Sequence, residues 1–181
     1  MQESKTRHTI AAALPMTAAD VTRIIEIAPD ALQSPEVKAV CAIWQERRGS
    51  RPMPTRDEVL PRPLAKFLRY ISLTRFTPES GDYEFRIVGD AHVQAYGANA
   101  QGERLSQTKS ASPEFVAALT HCLDLVRSRR APLGYRGIMG RDLSQASFDW
   151  FETLYMPLGT DSVDFILNAA VYRPREGKWR E

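Results

Sequence analysis

The stretch YEFRIVGDAHVQAYG, residues 83–97, limits the possible folds more than any other part of the chain. Tyr83, Phe85 and Ile87 alternate with Glu84 and Arg86, the period of a half-buried strand. Gly89 ends the alternation, and Gly97 closes the short segment that follows. Within that segment His92 and Tyr96 are four residues apart, so a helical conformation puts them on one face. A strand that runs straight into a turn or two of helix between glycines suits a sheet edge bending around something small.

The flanking patterns extend this picture. FLRYISLTRF (67–76) reads as a strand with Phe67, Ile71 and Leu73 on one face, and TPESGD (77–82) reads as the hairpin turn into the next strand. Two strands joined this closely pair antiparallel. Ser112-Pro113-Glu114 is a helix start, a capping serine followed by proline and an acid. The helix it opens runs to about Arg130 with Phe115, Ala118, Leu119, Cys122 and Val126 on its apolar stripe. Arg127, Arg129 and Arg130 crowd its end, where solvated cations suit the helix dipole. Three strands follow at 133–140, 147–158 and 163–172.

Upstream, Ser34-Pro35-Glu36 opens a helix striped by Val37, Val40, Cys41 and Trp44 and closed by Gly49. Thr55 and Glu58 form a capping box. A shorter amphipathic helix is expected from Thr17 to Ala28, with Val21, Ile24, Ile25 and Ala28 on its apolar face. That face must be buried, either on its own sheet or against a second chain. The order of helices, two strands, a helical crossover and three strands gives an α+β domain with one antiparallel sheet.

Composition narrows the chemistry. A chain of 181 residues with a net charge of +2 and interspersed charges lacks the clustered basic face of a nucleic-acid binder. No run of roughly 20 apolar residues suggests a membrane span, and a cytoplasmic location is expected. Cys41 and Cys122 sit in helical apolar patterns, which fits buried thiols in a reducing compartment. There is no phosphate loop, HExxH helix or nucleophile elbow. Alternation puts Asp149 and Glu152 on opposite faces, which argues against a carboxylate pair. His121 faces away from the stripe of its helix and is a poor haem ligand.

Several motifs at compatible spacing carry a family resemblance. FRIVG followed by Gly97-x-Asn99-x-x-Gly102-x-x-Leu105 resembles the region after the second strand of PAS domains. Trp44, Pro54-x-Arg56-Asp57, Glu152 and Tyr155-x-Pro157-Leu158 resemble a branch of that family found as stand-alone bacterial proteins. One departure is Asp161-Ser162, where that branch often has Asp-Gly in the last hairpin, so a longer or different turn is expected.

The resemblance implies a PAS-like five-stranded antiparallel sheet in the order 2-1-5-4-3, with helices over one face and extra N-terminal helices. The divisions expected are a tail and helix at 1–34, the domain at 35–173 and a tail at 174–181. The segment after Gly89 becomes the first helical turn curving over a cavity. Gly89 is read as the point of a sharp turn, and Gly97 as a residue of positive φ.

The function expected is a non-catalytic sensor or interaction module of bacterial signalling, without a metal or a coloured cofactor. Phe85, Ile87, His92, Tyr96, Phe115, Leu119, Trp150 and Asn168 are the candidate lining for a small, mainly apolar ligand. Asn168 stands out because a buried amide in an apolar strand needs a partner. Self-association or an effector protein is expected to use residues 18–28 and the exposed sheet face. The alternatives are a ligand-free adaptor acting through dimerisation and a small enzyme or lipid carrier with the same cavity.

Overall fold

The computed structural model describes residues 24–138 and 148–174. Six antiparallel strands form one sheet: β1 (Ile24–Ile27), β2 (Ile71–Thr77), β3 (Asp82–Val88), β4 (Leu133–Ile138), β5 (Phe148–Gly159) and β6 (Val163–Pro174). Their spatial order is β1-β4-β5-β6-β2-β3. Counted along the chain, β2 to β6 lie in the expected order 2-1-5-4-3, and β1 adds a sixth strand beside β4. The helices are α1 (Pro35–Arg48), α2 (Arg56–Val59), α3 (Asp90–Tyr96) and α4 (Pro113–Arg129).

The helix ends follow their local chemistry. Thr55 and Glu58 close the capping box of α2, with the Thr55 amide 2.7 Å from the Glu58 carboxylate. At the start of α4 the Ser112 hydroxyl accepts from the Phe115 amide at 3.2 Å. Gly97 ends α3 with a φ of 71°, a left-handed conformation that suits glycine. Gly89 works differently from expectation. Its φ is an ordinary −71°, and a Cβ there would collide with the backbone carbonyls of Leu68 and Arg69. Close approach, not turning freedom, requires the missing side chain.

Two expected elements differ in the structure. Ile24–Ile27 is a strand, not the end of a helix, because these residues pair with Gly134–Gly137 on the open edge of β4. Glu26 also meets Arg129 at 3.0 Å. Residues 17–23 lie outside the described residues. The second correction is at 67–70, where the chain forms a 3-10 turn (Ala65–Tyr70) before β2 begins at Ile71. The last hairpin is irregular between Leu158 and Gly159, and Gly159 pairs with Val163 around a three-residue loop.

Both faces of the sheet are covered. On one, Val37, Val40, Cys41 and Trp44 of α1 pack against β5 and β6. Ile71, Leu73, Leu154, Met156, Leu167 and Ala169 are buried there. This sheet face was expected to be free for a partner, but α1 occupies it. Over the opposite face lie α3 and α4.

The contact that fixes α1 is Glu152, a fully buried carboxylate on β5. It accepts from the Gln33 amide at 2.9 and 3.1 Å and from the Ser34 amide at 2.7 Å. Arg136, its neighbour across β4, pairs with it at 3.2 Å and also donates to the Ala31 carbonyl. Trp44 donates its indole N–H to the Pro157 carbonyl at 2.9 Å, and the Gly159 amide donates to the Pro54 carbonyl at 3.0 Å. The upstream and C-terminal motif residues therefore hold one another.

Glu152→Ala leaves the Ser34 amide buried, and the Gln33 amide and Arg136 half-buried, without this acceptor, so a loss of about 3 kcal/mol is expected in urea unfolding. A change below about 1 kcal/mol would mean that α1 is held by packing alone.

Candidate functional site: a neutral cavity under α3 and α4

The bulge in the β2–β3 hairpin decides which side chains face inward. Ser72 pairs with Val88 and Leu73 with Ile87, but Thr74 pairs with Phe85, leaving Arg86 as the extra residue. One added residue reverses the alternation beyond it. Phe85 and Val88 therefore line a cavity between the sheet and the two helices, together with Ser72 and Thr74 of β2. Tyr155 of β5 and Asn168 and Tyr172 of β6 form its floor, and Phe115, Leu119 and Leu123 of α4 form its roof. His92 and Tyr96 enter from α3, and small residues from Ala98 to Ala111 edge the opening. The free volume is about 80 Å³.

Six of the eight candidates named from sequence meet here: Phe85, His92, Tyr96, Phe115, Leu119 and Asn168. Ile87 and Trp150 do not. The bulge turns Ile87 onto the other face beside Leu73, where it packs half-buried against the core. Trp150 pairs with Ile138 and Arg173 near the sheet's end, with the Arg173 guanidinium 4.2 Å from its ring centroid. Sequence reasoning missed Tyr172 and Tyr155. Both could have been found from Asn168, since Tyr172 lies four residues along the same strand and Tyr155 directly across from Asn168.

The polar groups of the wall satisfy one another. Asn168 donates from Nδ2 to the Thr153 hydroxyl and, at 3.3 Å, to the Leu154 carbonyl. Its Oδ1 accepts from Ser72 at 3.5 Å. His92 is buried with Nε2 at 3.2 Å from the Tyr70 carbonyl and Nδ1 at 2.9 Å from the Tyr172 hydroxyl. A carbonyl can only accept, so Nε2 carries the proton and the Tyr172 hydroxyl donates to Nδ1. Tyr96 hydrogen-bonds Tyr172 in turn. The three rings pack edge to face, with centroids 5.4 and 5.7 Å from that of Tyr172.

Burial keeps this wall uncharged. It pushes His92 down to about 4, partly offset by the bond to Tyr70, so the imidazole is neutral at pH 7. Burial also raises the phenols of Tyr96, Tyr155 and Tyr172. No lysine, arginine, aspartate, glutamate or cysteine is among the lining residues. Among the described residues, no group of three histidines, cysteines or acids is placed to hold a metal. Clefts for drug-sized ligands measure about 300–1,000 Å³, so the free space here is small by that standard.

With this geometry in hand, comparison with known proteins identifies the class. A family model described as "PAS domain" matches residues 32–168, and the chain belongs to the PAS domain family. Among solved structures it is similar to an RNA-binding light-oxygen-voltage receptor, at 14% identity and a TM-score of 0.41. That likeness covers 83% of this chain and 38% of the receptor chain, so the chain spans well under half of the receptor's length. No curated protein matches.

The histidine gives a pH signature. Its folded value of about 4 lies below the ordinary 6.5, so the unfolded chain takes up the proton first as pH falls. The stability of the neutral state is complete above pH 6.5 and is lost as pH falls from there through about 4. Between pH 7 and 4.5 the wild type is expected to lose about 2–3 kcal/mol more than His92→Gln in urea melts. Parallel curves for the two proteins would show that the imidazole is not buried neutral.

Proposed function

We propose that this PAS domain is a non-catalytic sensor that binds a small, uncharged, mainly apolar ligand in the cavity beneath α3 and α4. The observation that carries the reading is the wall itself. Apolar side chains from α4 and β3 face a floor of neutral hydroxyl, amide and imidazole groups. A charged ligand would lose its hydration there without gaining a counter-ion. A small molecule with an aliphatic or aromatic body and one polar atom suits both surfaces. Acid–base catalysis needs a group poised near the working pH, and His92, held at about 4 with both nitrogens engaged, is not one.

The route outward runs through β5. Asn168 holds Thr153, and the next residue, Glu152, holds the amides of Gln33 and Ser34 on the opposite face. A ligand that re-aims Asn168 acts on the strand that anchors the N-terminal segment. Switching requires only that it bind two arrangements of this network unequally. The output is passed to a second copy or to a separate effector protein in the bacterial cytoplasm. Cys41 and Cys122 are unpaired thiols, which suits that compartment. Among the described residues no helix is long and apolar enough to cross a membrane.

Native mass spectrometry of the purified protein tests the reading, paired with thermal-shift screening of small neutral probes such as indole, phenol and short alcohols. A co-purified neutral molecule, or a probe that raises the melting temperature of the wild type but not of Leu119→Trp, is expected. An unliganded mass with no probe response would leave a ligand-free adaptor as the better account.

A further inference from the structure

A second groove, of about 290 Å³, opens outside the cavity. It lies between the start of α1, the 3-10 turn before β2, α3 and the end of β6. Its polar walls are Glu36, Arg69, Tyr70 and Gln94, and Ala91 and Val171 give it an apolar surface. Glu36 and Arg69 carry opposite charges on one concavity, yet they do not pair. Among the described residues, every ion pair involves other groups. Among the described residues, the guanidinium of Arg69 donates only to the neutral Gln94 Oε1, at 3.1 Å. The Glu36 side chain, half-buried, has no hydrogen-bond partner among the described residues.

A half-buried carboxylate and a guanidinium that line one groove with apolar side chains, and do not pair with each other, match a molecule that carries both complementary charges. We propose that this groove binds a small aliphatic zwitterion, an amino acid. Its carboxylate would meet Arg69, its ammonium Glu36, and its hydrocarbon part would lie on Ala91 and Val171. Charge-assisted bonds at two points orient the ligand. Either exposed pair alone is weak, so recognition needs both ends together. The site is distinct from the cavity, whose neutral wall rejects a zwitterion, and the inference stands independently of the sensor reading. The two spaces nevertheless share one side chain. Tyr172 lines both, and its hydroxyl holds His92. A ligand on either side touches the same residue.

Isothermal titration calorimetry with alanine, valine and γ-aminobutyrate, against propionate and propylamine, tests this. At least one amino acid is expected to bind, with both single-charge analogues weaker by about tenfold or more. Arg69→Gln and Glu36→Gln, each checked for native circular dichroism, are each expected to weaken that binding by about tenfold. The α- and γ-amino acids report the spacing between the two charges. Three results would overturn the proposal: no heat with any amino acid, equal binding of propionate or propylamine, or binding that survives either substitution. None of them changes the native mass-spectrometric outcome for the cavity, so the two readings fail separately.

Discussion

The architecture depends on a carboxylate that has left water completely. Glu152 sits on the second-from-last strand with α1 covering it, and the transfer of such a charge into the interior is costly unless every lone pair finds a donor. Two backbone amides at the entry to α1 and the guanidinium of Arg136 supply those donors. The arrangement ties three distant parts of the sequence, residues 31–34, 136 and 152, into one knot. Because α1 is placed this way, its apolar stripe falls across β5 and β6, and Trp44 reaches the Pro157 carbonyl. The core on that side is a consequence of a polar contact as much as of hydrophobic burial.

The opposite face shows the reverse economy. Hydrophobic helices enclose a floor whose polar atoms are numerous but already satisfied among themselves. A satisfied network is rigid and specific, whereas an unsatisfied one would draw in water. The cavity is consequently small, neutral and shaped by rings. The two faces divide the labour, one carrying the charge that locks the N-terminal segment, the other offering an uncharged space. Thr153 and Glu152, neighbours in the chain, face opposite ways and connect them.

Much of this was legible in the residues. The five core strands, the long Ser112-capped helix and the Gly97 turn follow from local periodicity and turn chemistry, which are short-range signals. Six of the cavity residues were named as the lining of the cavity that the PAS resemblance implies, Asn168 among them because a buried amide needs a partner. What stayed hidden depended on partners far along the chain. Ile24, Ile25 and Ala28 fit a helical stripe, and only the edge of β4, more than 100 residues away, makes Ile24–Ile27 a strand. Likewise the stripe of α1 was plain, but nothing local says which sheet face receives it. Ile87 was misplaced for a different reason: an unpaired residue inside a strand has no distinctive composition, and period-2 counting carries the error forward. Trp150 shows that an aromatic residue near a strand end can instead lie beneath an arginine.

That extra residue at Arg86 has a wider meaning for how such a pocket can change. Since it sets the phase of everything between itself and Gly89, the inner wall is governed by the pairing register as well as by side-chain identity. Pairing every residue regularly, with no bulge, would bring Ile87 in and turn Val88 outward, whereas deleting Arg86 would leave both on the faces they now occupy. The surface offered to a ligand is therefore a property of how the hairpin is paired as well as of which residues it contains.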